Sequence, residues 1–291
     1  MTVKSFHPIS AIVYFASVLA ISMFSQNPLL HIISLIGAMA YYVKMNKNGY
    51  IKELLVYLAM LCIVAAINPF FSHRGETVLF FMNKNPITLE SLLYGFGIAL
   101  MLISVIYWFK CFSLIMTEDK LLCLFGGISP KLALLISSSL RFVPHLKQRI
   151  KKIKDAQKTM GMYSSDAFSD RISGTMRSYS SLVGWSLENA IDVGTSMKSR
   201  GYGLKGRTYF SLFRFSVGDT VVVGIIAFLD FVVMYFMFIG KLDFVYYPRM
   251  SAMNISASGI CALVAFAILC FLPFILELKE DLQWKYYRSK I

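Results

Sequence analysis

Apolar residues run in long blocks along this chain, separated by short polar breaks, and the block lengths are those of membrane-crossing helices. Spanning the hydrocarbon core of a bilayer takes about 20 mainly apolar residues in helix. The blocks are Ile9 to Phe24, Leu29 to Val43, Glu53 to Phe71, Ser91 to Met116, Val217 to Ile239 and Ile255 to Leu276. The first two are short and are parted by Asn27-Pro28, so they fit tilted or partly interfacial pieces. The first block lacks a small-residue cleavage site and leads directly into the next, so no cleavable signal is expected.

Between the fourth and fifth blocks the pattern changes. Leu121 to Val143 is still apolar and fits a piece lying in or against the membrane, with Ser129-Pro130 as a helix start. Then the period turns helical and one-sided. Leu146, Ile150, Ile153, Gln157 and Met160 fall on one face, interrupted by the polar Gln157, and lysines and arginines cover much of the rest. Gly161 is placed to cap this helix. MYSSDAFSD reads as a loop, and Asp170 is expected to cap a second helix. There Ile172, Met176, Tyr179, Val183, Leu187, Ala190, Gly194 and Met197 make the cleanest amphipathic stripe in the chain. A helix from Asp170 to Arg200 is about 45 Å long. The stripes need a partner, which is the other helix, the inner membrane surface or another protein; ordinary packing within the chain is expected to account for most of them. Both helices end in a residue-plus-glycine tip, Thr159-Met160-Gly161 and Ser199-Arg200-Gly201.

Composition agrees with lipid as the solvent. Only 15% of the 291 residues are charged, against about 25% in a soluble domain, and the mean hydropathy is +0.62. The formal charge of +13 is unevenly spread: 17 of the 29 Lys and Arg lie in 110–216. With the N-terminus inside, only Arg74, Lys84, Lys241 and Arg249 fall on the outer side. This asymmetry predicts that both termini and the central region are cytoplasmic. It also gives the basic charge a partner in the anionic inner leaflet, at about 1 kcal/mol per residue, without invoking nucleic acid.

Motifs for chemistry on this chain are missing. Gly201, Gly203 and Gly206 match the spacing of a dinucleotide loop, but such a loop must open a helix, and these follow one. A helix C-terminus presents negative partial charge to any anion. The sequence has no phosphate-loop, zinc-protease or nucleophile-elbow motif, its four histidines are scattered, and its five cysteines form no metal or disulfide pattern. No cofactor or metal is therefore expected on this chain. Asp230, near the middle of the fifth block, is the sharpest intramembrane acid, either a packing residue or a functional one.

Several stretches together carry a family likeness. They are Ile67-Asn68-Pro69-Phe70, Leu89-Glu90-Ser91-Leu92-Leu93-Tyr94-Gly95, Leu140-Arg141-Phe142-Val143-Pro144, Asp155-Ala156-Gln157-Lys158 and Met197-Lys198-Ser199-Arg200-Gly201-Tyr202-Gly203. From near the N-terminus to about Phe215, the chain resembles the transmembrane T component, EcfT or CbiQ, of energy-coupling factor transporters. The resemblance implies a non-catalytic subunit that joins two cytoplasmic ABC-type ATPases to a small membrane S component, which captures a vitamin or metal ion. ATP is then used by the partner subunits. The family's coupling motifs are alanine-arginine-glycine-like tripeptides at helix ends. Ser199, Arg200 and Gly201 fit that pattern; in Thr159, Met160 and Gly161 methionine replaces arginine.

These readings together predict an all-α polytopic membrane protein with about six transmembrane helices and long amphipathic cytoplasmic coupling helices. The expected divisions are 1–120, 121–216 and 217–291. The rival readings are an intramembrane enzyme, which needs clustered acids or a nucleophile with a base, and a self-sufficient secondary transporter, which more naturally shows repeated halves.

Overall fold

Prolines and small polar caps set where the helices begin. A computed structural model describes every residue except 1–5, 47–49, 73–74, 83–84, 162–167, 205–212, 214, 252–255 and 291. Most of the expected loop after Gly161, with Lys4, Lys47, Arg74, Lys84 and Gly206, lies outside the described residues. Helix α1 (Pro8–Phe24) opens with a proline, and the His7 ring accepts from the Ile9 amide. Helix α2 (Pro28–Met45) repeats the device with Asn27 accepting from Leu29. Helix α3 (Tyr50–Phe71) is followed by a hairpin of β1 (Val78–Met82) and β2 (Asn85–Thr88). Thr88 then caps α4 (Leu89–Ile115). Next come α5 (Glu118–Ile128), α6 (Pro130–Thr159) and α7 (Phe168–Ser199). Helix α8 (Val217–Phe238) starts on a reciprocal cap between Ser216 and Asp219, and Ser256 caps α9 (Ala257–Arg288).

Five of these helices, α2, α3, α4, α8 and α9, contain stretches long and apolar enough to cross a membrane, and α1 is a shorter apolar helix. The chain is an all-α multi-pass membrane protein, and among the described residues the hairpin is the one exception. The hairpin is unanticipated. It sits at the α3–α4 turn, where Leu79, Phe80 and Phe81 are exposed.

The chain forms two units. One comprises Met1–Leu121 with Phe213–Ile291, the other Leu122–Leu212. In the first, Trp108, Tyr41, Phe15, Phe266 and Leu269 are fully buried at the centre. Tyr14 and Phe15 meet the Trp108 ring edge-on at 5.9 and 6.0 Å. Burying polar groups among apolar helices requires partners, and here they form a chain of bonds centred on Ser34. The indole Nε1 of Trp108 donates to Ser34 Oγ at 2.9 Å, and Ser34 Oγ also bonds Ser104 (2.6 Å) and Ser22 (2.9 Å). The chain links α1, α2 and α4. Close backbone approach does the same for α2 and α9: a Cβ on Gly37 would stand 2.9 Å from Cys270 Cβ, the small-residue contact that membrane helices favour.

In the second unit, α6 runs unbroken through Pro144. The apolar run and the basic amphipathic segment thus belong largely to one helix, begun as expected at Ser129-Pro130. Helix α7 begins at Phe168, so Asp170 lies in its first turn rather than at its cap. An acid there still favours the helix through the dipole.

Candidate functional site

The two tips are built alike. At the end of α6, the Met160 amide donates to Ala156 O at 3.2 Å and the Gly161 amide to Lys158 O at 3.0 Å. Gly161 has φ +75°, the left-handed conformation in which glycine avoids a Cβ penalty. Thr159 Oγ1 turns back onto Ala156 O at 2.7 Å. Met160 is left outermost, 64% exposed.

At the end of α7 the closure is more complete. The Gly201 amide donates to Lys198 O and the Tyr202 amide to Met197 O, both at 3.0 Å. These are the two bonds of a full left-handed C-cap, with Gly201 at φ +82°. Ser199 Oγ bonds Thr195 O at 2.9 Å, which keeps that hydroxyl on its own helix. The Arg200 amide donates to Ser196 O, so Arg200 is the last residue held by the helix. Its side chain is exposed and, among the described residues, forms no ion pair. A guanidinium at a helix C-terminus is favoured by the dipole, and it carries a planar fork able to grip a carboxylate in two places. Gly201 and Gly203 follow a helix end, the wrong polarity for a dinucleotide phosphate.

The face that joins α7 to α6 is not the one the stripe suggests. Ser178 Oγ, fully buried, donates to Gln157 Oε1 at 2.7 Å, and Gly174 is buried one turn earlier. Trp185 stacks on Phe142 at 5.9 Å with the rings 4° apart, and the Arg149 guanidinium lies 5.0 Å from the Trp185 ring centre. The pairing therefore uses small, polar and aromatic residues. Ile172, Met176, Tyr179, Val183 and Leu187 remain exposed, joined by Ile191. Mutual packing of the two helices does not account for the stripe. Gln157, the apparent interruption of its face, is its anchor.

The model of the family described as cobalt transport protein, CbiQ, matches residues 7–210. The chain belongs to the CbiQ family. Two similar proteins are named energy-coupling factor transporter transmembrane protein EcfT. The one from Listeria innocua is 31% identical over 183 residues, which are 59% of this chain and 69% of the relative. The one from Lactobacillus helveticus is 38% identical over 93 residues, 31% of this chain and 34% of the relative. The chain is accordingly a transmembrane component of the EcfT/CbiQ kind.

Residues from Ile67 to Phe70 and from Leu89 to Gly95 pack α3 against α4. Pro69 has no amide hydrogen, so Ala65 O lacks its helical donor, and Gly95 packs directly against it: a Cβ there would stand 2.8 Å from Ala65 O. Asn68 Nδ2 donates to Ser91 O at 2.8 Å, and Ser91 Oγ to Ser72 O at 2.7 Å. Glu90 is buried and accepts from Thr77 Oγ1 at 2.7 Å. Tyr94 meets Tyr246 and Tyr247, each at 5.3 Å.

Asp230 lies on α8 of the first unit, half-buried, with Ser17 of α1 beside it. Its Oδ1 is buried with no hydrogen-bond partner among the described residues. The tips belong to the other unit.

Proposed function

We propose that this chain couples two cytoplasmic ABC-type ATPases to a membrane S component that captures a vitamin or metal ion. In this reading both termini and the α6–α7 arm face the cytoplasm, where most of the lysines and arginines fall. Thr159, Met160 and Gly161 form one contact with the ATPases, and Ser199, Arg200 and Gly201 the other. ATP is bound and hydrolysed by those partners, and this chain holds no cofactor.

The observation that carries the reading is the arm itself. Two helices of 30 and 32 residues each end in a left-handed glycine tip with the preceding side chain exposed. Exposed ends on long rigid levers suit force transfer to a partner. The uncovered stripe from Ile172 to Ile191 is the surface we assign to the S component, because a contiguous apolar face of this length needs a cover. Substrate choice then rests with the S component rather than with this chain.

The test is assembly. The chain, expressed with its candidate ATPases and S component and drawn out of membranes in mild detergent, should bring two nucleotide-binding subunits with it. Arg200→Glu should insert normally and lose them. Equal recovery of the ATPases with wild type and Arg200→Glu removes the second tip from the contact.

A further inference from the structure

The chain enters the second unit after Leu121 and leaves it after Leu212, and the residues just outside those crossings meet. Lys120, in the first turn of α5, is 2% exposed, and its Nζ lies 5.9 Å from the centre of the Phe213 ring. That Nζ has no hydrogen-bond partner among the described residues. A ring face replaces only part of the hydration an ammonium loses on burial. Burial accordingly holds the Lys120 amine below the ordinary lysine range, and Asp219 pulls it back upward.

Asp219 is already engaged. Its Oδ1 accepts from the His7 amide at 3.0 Å and from Ser10 Oγ at 3.5 Å. Its Oδ2 accepts from the amide and hydroxyl of Ser216, at 3.0 and 2.8 Å. Phe215 lies edge-on to the His7 ring at 5.3 Å. The starts of α1 and α8 thus share one knot, and Lys120 of α5, which feels the Asp219 charge, lies beside the neck through which the chain passes to and from the second unit. The chain connections to the α6–α7 arm run through this neck.

We propose that Lys120 is the positioning residue of a two-position joint, resting on Phe213 in one position and paired with Asp219 in the other. In the second position Asp219 gives up its bond to His7 or Ser10. The inference rests on the coupling function above. The unpaired buried ammonium raises the energy of the first position, and the lost bond to α1 raises that of the second. Two positions close in energy exchange under a modest load.

The experiment is Lys120→Met in the full chain. Methionine keeps the length and the contact with the ring and drops the charge. The purified variant should melt at a higher temperature than wild type, because the unpaired ammonium is gone. Assembled with its ATPases and S component, it should hydrolyse ATP yet lose several-fold of its uptake per ATP. Uptake is read in vesicles with whichever vitamin or Co2+ the copurifying S component binds. A lower melting temperature, or unchanged uptake per ATP, overturns the joint. Asp219→Asn should cut uptake per ATP by a similar factor, and the double variant should lose no more than either single one. Additive losses also overturn it. Melting needs only this chain, so a wild-type chain that recruits no ATPase contradicts the coupling function, while the sign of the melting shift still decides for or against the joint.

Discussion

The hydroxyl of Tyr14 donates to the carbonyl of Leu269 at 3.1 Å. Leu269 is four residues before Pro273, so its carbonyl is the one that proline deprives of a helical donor. A side chain from α1 thereby supplies the donor that Pro273 cannot.

Tyr14→Phe should leave that carbonyl unsatisfied. Bonds between membrane helices contribute about 0.6 kcal/mol on average and up to about 1.7, and the upper part of that range is expected for a fully buried site. Thermal unfolding in detergent should show the loss, with copurification of partners unchanged. A variant as stable as wild type would mean that the bonds from this hydroxyl to Leu269 O and Cys270 O, the latter at 3.4 Å, contribute nothing to stability.

Gly201→Ala should disturb the second tip more than its size suggests. At φ +82° a side chain costs about 1–2 kcal/mol, and the methyl would approach Leu204 Cδ1 to 3.1 Å. Recovery of the ATPases should fall while membrane insertion holds. Gly194→Ala is the control, because a Cβ there meets nothing within 4 Å and alanine favours helix by about 1 kcal/mol over glycine. Equal effects at the two glycines would remove the special role of the tip.

Much of this architecture is legible in the sequence, and the exceptions have physical causes. Block lengths give the spans, because a helix must be apolar for the full depth of the bilayer. Asn27-Pro28, Ser129-Pro130, Gly161 and Gly201 give helix ends, because proline and glycine have few conformational alternatives there. Periodicity does not say what covers an apolar face. It marks Ile172 to Leu187 as a stripe, yet α7 meets α6 through Gly174, Ser178 and Trp185. Gln157 looks like a flaw until Ser178, 21 residues away, is placed against it. Lys120 reads as one more lysine beside Glu118 and Asp119; nothing local reveals that Phe213 closes over it. Resemblance and helix-end chemistry mark the tips.

Asp230→Asn separates the packing role from the functional one. Asparagine keeps the shape and removes the charge. If the carboxyl is a packing group beside Ser17, uptake should stay within about twofold of wild type, a change of about 0.4 kcal/mol on the scale where tenfold is about 1.4 kcal/mol. A loss of tenfold or more, with assembly intact, would make Asp230 part of the transport path.

Met160→Ala should be the milder of the two tip variants. An exposed apolar side chain without a charged partner contributes less at a rim than a guanidinium seated on a carboxylate, whose truncation at a buried site costs about 3–5 kcal/mol. Copurification yields for Met160→Ala and Arg200→Glu, compared side by side, check the order. A defect in Met160→Ala as large as that in Arg200→Glu would reverse it.

The most direct measurement is uptake into sealed vesicles containing the purified chain with its S component, with and without the two ATPases and ATP. A coupling subunit should move substrate only when the ATPases and ATP are both present. Sustained accumulation by the chain and S component alone, or by the chain by itself, would contradict the account.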